Sequence, residues 1–192
     1  MRTPATAATA LFAALAVALG YLLISVPNVE LLSFTVFASG VILGRLRGAL
    51  VGALAMAIYS ALNPAGSGLG IPTLYVAQIA ATAVIGMAGG VSAPLWRNGG
   101  GLSLALVSGG TGLVLTALYQ SAVILGLAAA SPEFRTGAMA VLVSNAFFSL
   151  VHLFSNTAIF AVLAPVVLPR AIGMFGTAVR RGGAGRWNGR EG

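Results

Sequence analysis

The sequence predicts an all-α integral membrane protein: a bundle of six transmembrane helices with the N and C termini cytoplasmic. Three observations predict it. First, the 192 residues are 58% hydrophobic and 7% charged, with a mean hydropathy of +1.00. Soluble domains carry roughly 25% charged residues, so this chain has too little polar surface for water and its solvent must be lipid. Second, the apolar runs are long and lack period-two alternation. That selects helices over a closed barrel, the other structure that satisfies its own backbone in lipid. Third, six spans bring Arg2, Arg45, Arg47, Arg97, Arg170, Arg180, Arg181, Arg186 and Arg190 to one side and leave only Arg135 opposite. The loop-charge rule makes the arginine side cytoplasmic.

The first span covers residues 5–24 and stops at Pro27. Its start, Arg2 ahead of an apolar stretch, has features of a signal peptide. The run is long for one, and several further spans follow. Ala10, Ala14 and Ala18 fall within about 80° of one helix face. Small residues in register let another helix approach closely in lipid, where packing replaces the hydrophobic drive.

The second and third spans, 31–44 and 48–62, form a hairpin around which the chain is arranged. Pro27 and Glu30 open it, the basic turn Arg45-Leu46-Arg47-Gly48 marks its tip, and Asn63-Pro64 returns to the starting side. The second span rises only about 21 Å against a hydrocarbon core of roughly 30 Å. It is therefore short, sunk at one end, or begun inside the preceding loop. The third span repeats small residues at Gly48/Gly52 and Ala49/Ala53/Ala57/Ala61. The loop 63–72 is turn chemistry throughout. Its Gly66, Gly68 and Gly70 make no dinucleotide fingerprint, since no strand precedes them and no acidic residue follows at the needed distance.

The fourth span, 73–95, is closed by Arg97 and a Gly-rich turn at 98–101. The fifth, 102–129, ends at Ser131-Pro132-Glu133. The sixth, 136–163, ends at Pro165. Residues 166–179 are a candidate interfacial segment, completing a membrane domain of residues 1–179. The basic, Gly-rich tail 180–192 is too polar to order itself. Trp96 and Trp187 suit membrane interfaces.

The net charge is +7. The arginines flank apolar runs or sit in the tail, without the aromatic interleaving of a nucleic-acid face, so no nucleic-acid partner is expected. With no Cys, no Asp, no Lys and one His, the chain lacks the inventory for nucleophilic, paired-carboxylate or thiolate-metal chemistry. It is expected to be no enzyme and to hold no metal or cofactor. Without a Walker lysine, any ATP hydrolysis belongs to another chain.

Polar residues within the spans fall in register. On the sixth span Asn145, Ser149, His152 and Asn156 lie within about 60° of one face. On the fourth, Tyr75, Gln78 and Thr82 do the same. Thr116, Tyr119 and Gln120 share an arc on the fifth, and Tyr59 and Asn63 close the third. Polar groups at this depth must face protein or water. They are either interhelical glue, worth roughly 0.6–2 kcal/mol a pair, or the wall of a shared pocket open to the outside. Stripes on three helices at one depth favour the pocket.

With these features the chain, over about residues 5–165, resembles the substrate-binding S-components of energy-coupling factor (ECF) vitamin transporters. The resemblance is carried by several features together. They are six short spans in under 200 residues, the Pro-Asn-Val-Glu-Leu loop, the small-residue hairpin at 44–54, Asn63-Pro64 and the alanine register of span one. It implies a binder of a vitamin or precursor in the bacterial plasma (inner) membrane. It also implies docking of Ala10, Ala14 and Ala18 on a membrane coupling subunit (T-component) that sits on two ABC-type ATPases. It points to Tyr75, Gln78, Tyr119, Gln120, Asn145, His152 and Asn156 as ligand residues, with Asn63 and Glu30 from the outer loops. The chain departs from better-known members in lacking a deep charged residue. The alternatives are a small secondary transporter or channel working without ATPases, and a structural or assembly membrane protein.

Overall fold

The computed structural model describes residues 3–64, 68–96, 101–130, 133 and 138–184, the side chains at 3, 4, 101, 138–142, 144, 145 and 175–184 excepted. The expectations for Arg2, Arg97, the turn 98–101, Ser131, Pro132, Arg135, Trp187 and the Asn145 side chain lie outside these residues. So do those for most of the tail.

The described chain is all-α. Its helices are α1 (Thr3–Leu22), α2 (Leu32–Leu43), α3 (Arg45–Ala61), α4 (Pro72–Ser92), α5 (Gly101–Ala128) and α6 (Ala138–Ala184). Short 3-10 turns, Gly68–Gly70 and Ala93–Trp96, flank α4. Four stretches are long and apolar enough to cross a membrane: Ala5–Leu22, Pro72–Trp96, Leu102–Ala128 and Ala146–Met174. Exposed leucines, valines and phenylalanines cover the outside of the bundle, as a lipid-facing surface requires. The helices thus define a membrane-embedded protein. At 12 and 17 residues, α2 and α3 are shorter.

The short α2 is the centre of the fold. Every residue from Leu32 to Val41 is buried, because α1, α3, α4 and α6 all pack on it. Two of its buried hydroxyls are satisfied by nearby backbone: Thr35 Oγ1 donates to the Leu31 carbonyl at 2.8 Å and Ser39 Oγ to the Val36 carbonyl at 2.6 Å. Such back-bonding lets a polar residue sit in an apolar core without a partner helix. Gly44 alone separates α2 from α3, with φ at +91°, a left-handed conformation that glycine adopts freely.

Glycines bring α2, α3 and α4 to backbone contact. A Cβ on Gly40 or Gly48 would strike the Gly86 carbonyl oxygen. One on Gly89 would strike the Phe37 carbonyl, and one on Gly52 the Thr82 carbonyl. Beside this junction Phe37 packs edge-on to Trp96 and Phe160, with ring centroids 5.7 and 5.3 Å apart.

Two expectations are corrected here. Trp96 is fully buried rather than interfacial. The 3-10 turn after α4 folds its ring back onto Phe37, and its Nε1 donates to Ser92 Oγ at 3.1 Å. The sixth helix does not stop at Pro165; it runs unbroken through Pro165 and Pro169 to Ala184. A proline removes one amide donor and crowds the preceding turn. Among packed membrane helices the freed carbonyl meets no competing water, so neighbouring contacts can hold the helix together. Ala164 and Leu168, fully buried on the bundle, supply those contacts.

Candidate functional site

A cavity of about 470 Å³ opens between the α1–α2 connection and the ends of α3 to α6. The connection supplies residues from Leu23 to Glu30. It is built from tight turns, with Val26 N–H donating to the Leu23 carbonyl and Val29 N–H to the Val26 carbonyl. Asn28 sits at φ +57°, where asparagine is tolerated better than most residues. Its carbonyl accepts Ser155 Oγ–H at 2.8 Å, which ties the connection to α6.

The opposite walls are polar. Met56 and Tyr59 come from α3, Asn63 follows it, and Gln78 comes from α4. Tyr119 and Gln120 lie on α5, and Ser149 and His152 on α6. Val123, Ile124, Leu127 and Phe148 complete an apolar side. A second cavity of about 230 Å³ shares Tyr59, Asn63, Gln78 and Tyr119 with the first and reaches under the 3-10 turn at Gly68–Gly70.

Glu30 is held at the start of α2. The N-cap residue, Leu31, makes no side-chain cap, and the carboxylate of the preceding residue takes that place. Leu32 N–H donates to Glu30 Oε2 at 3.1 Å and Ser33 Oγ–H to Oε1 at 2.6 Å. A carboxylate at a helix N-terminus satisfies free amides and meets the positive end of the dipole. The same Oε1 stands 3.8 Å from His152 Nε2, with the two side chains 16% and 9% exposed. That is too long for a hydrogen bond, and Nε2 has no other partner. The Tyr119 ring meets the imidazole edge-on at 5.9 Å.

The structure therefore brings Glu30, Asn63, Gln78, Tyr119, Gln120 and His152 to one cavity and leaves two other expected residues out of it. Tyr75 turns away, its hydroxyl donating to the Ala57 carbonyl at 3.0 Å as a strut between α4 and α3. Asn156 is fully buried beyond the cavity, and neither side-chain polar atom has a partner. Its register matches that of His152, but one further turn of α6 carries it into the packed core beside Phe160 and Gly112.

Several lining groups are also bonded across helices. Gln120 Nε2 donates to the Ser149 carbonyl at 3.0 Å, and Ser149 Oγ donates back to Gln120 Oε1 at 3.3 Å. Ser60 Oγ donates to Gln78 Oε1 at 2.7 Å. Tyr21 OH donates to the Tyr59 carbonyl at 3.1 Å, joining α1 to α3.

Sequence reasoning missed Met56, the apolar side, and Leu23, Ile24 and Val26 of the α1–α2 connection, apolar residues that carry no polar register. Ala10, Ala14 and Ala18 are exposed on α1, while Thr9, Ala13, Ala16 and Gly20 form its buried face. Among the described residues no cluster of three or more His, Cys, Asp or Glu side chains occurs. No family model, no curated protein and no solved structure matches the chain.

Proposed function

We propose that the chain is the solute-binding subunit of an ECF-type importer, a six-span protein of the bacterial plasma membrane with cytoplasmic termini. The cavity carries this reading. Its volume of about 470 Å³ falls in the range that takes a small organic solute, and its wall joins amides, phenols and an imidazole to an apolar side. The solute, a vitamin or precursor, enters from outside beneath the α1–α2 connection. Ala10, Ala14 and Ala18, exposed on α1, dock on a T-component carrying two ATPases, which drive release inward. No reaction is assigned to the site itself.

The test is native mass spectrometry of the gently purified protein, with thermal shifts across a vitamin panel. A tightly held small molecule, or a shift with one compound, is the expected outcome. An empty protein that responds to none refutes the reading. The pairs Gln120–Ser149 and Ser60–Gln78 favour a second reading, an assembly protein whose polar residues are glue. Under it, Gln78→Leu lowers thermal stability and no solute affinity exists to change.

A further inference from the structure

We propose that the cavity selects a singly charged organic cation whose nitrogen head bridges Glu30 and His152. The inference rests on the solute-binding reading above and names the chemical class of the solute.

Charge is the first argument. Among the described residues that line the cavity, Glu30 alone carries a formal charge and none is an arginine. Its one ion-pair contact among the described residues is His152, at 3.8 Å. The cap and the helix dipole offset part of the cost of burying this carboxylate, and a bound cation offsets more. An anion would meet the carboxylate with no cationic side chain among the described lining residues to neutralise it.

Geometry is the second. Capping accounts for both carboxylate oxygens through Leu32 and Ser33 but leaves His152 Nε2 without a partner, although its side chain is more than nine-tenths buried. Nε2 is closed to water in this conformation, so a small shift of the imidazole must accompany binding; a nitrogen about 2.9 Å from each of Oε1 and Nε2 then stands at the apex of a triangle on their separation. It donates one N–H to each, with the imidazole proton on Nδ1. Ammonium, amidinium and protonated amino-heterocycles carry the two donors this needs. Third, Tyr59, Tyr119 and Phe148 line the same cavity, and aromatic rings attract a cation.

The experiment uses the full chain in detergent and three nearly isosteric probes: benzamidinium, benzamide and benzoate. Binding is followed by ligand-observed NMR. Benzamidinium is expected to bind about tenfold or more tightly than benzamide, as a charge-assisted bond implies, with benzoate weaker still. Glu30→Gln keeps an amide oxygen for the cap and should erase that preference. Ser33→Ala weakens the cap and keeps the charge, so it should lower thermal stability and retain the preference. His152→Leu should weaken benzamidinium more than benzamide. Equal binding of benzamide or benzoate, a preference that survives Glu30→Gln, or no binding by any probe overturns the proposal. A neutral or anionic solute that co-purifies overturns it too, while leaving the solute-binding reading intact. An empty protein with no response to vitamins or probes overturns both.

Discussion

Replacing Gly86 by alanine adds one carbon where α2, α3 and α4 touch. The new Cβ would stand against the Gly48 carbonyl oxygen, well inside contact, with the Ala49 nitrogen at 3.1 Å. These are backbone atoms and have no rotamer to turn away, so α3 and α4 must separate by about 1 Å or more to restore ordinary contact. Overpacking of this kind costs about 1–3 kcal/mol, and backbone obstruction places the cost at the upper end. Alanine's better helix propensity offsets up to about 1 kcal/mol. The net loss is about 2 kcal/mol, or about 4–8 °C in Tm for a chain of this size. Gly110 is the control: it lies on α5 with nothing within 4 Å of an added Cβ. Gly110→Ala should therefore raise Tm by a few degrees at most, about 0.5–1 kcal/mol. The assay is thermal unfolding in detergent, followed by tryptophan fluorescence, since Trp96 is fully buried beside the junction. The reasoning fails if Gly86→Ala melts at or above the parent, or if both variants shift Tm in the same direction.

Other outcomes follow from the same contacts. Asn156→Leu keeps the heavy-atom branching and removes two buried, unpaired polar atoms, so Tm should rise by the equivalent of about 1–3 kcal/mol; a fall would show that the amide has a partner in the working protein. Tyr75→Phe removes the strut to the Ala57 carbonyl and should cost about 0.5–1.5 kcal/mol without altering solute affinity, whereas Gln78→Leu, in the cavity wall, should lower both stability and affinity. Ala14→Phe adds bulk to the outward face of α1; solute binding and Tm should hold while uptake with the coupling subunit fails, and normal uptake would point to a transporter that needs no ATPases.

The sequence showed which residues share a helix face, and the structure decided what each face meets. Gln78, Tyr119 and His152 were found from register because a polar stripe must avoid lipid. Register gives an angle and a height along the helix but not where the cavity ends, so Tyr75 and Asn156 share the same stripes although one bonds α3 and the other is enclosed in the core. The burial of α2 on all sides was invisible in its composition, since lipid and protein interior are equally apolar. The rule that a proline ends a helix holds for water-exposed helices and lapses at Pro165, where buried neighbours on either side hold the helix together. The interfacial habit of tryptophan misplaces Trp96, because its burial depends on a 3-10 turn that no local pattern announces.

The shortness of α2 has an electrical consequence. On the proposed orientation Arg45 and Arg47, at the start of α3, mark the inner face, and the 12 residues of α2 put Glu30 about 20 Å above them. The hydrocarbon core is roughly 30 Å thick, so the carboxylate lies about one third of the way in from outside. A monovalent cation reaching it crosses about a third of the membrane potential, worth about 0.8 kcal/mol per 100 mV, or about three- to fourfold in affinity. An energised cell, negative inside, would hold such a solute more tightly than the same protein in detergent, and discharging the membrane would loosen it.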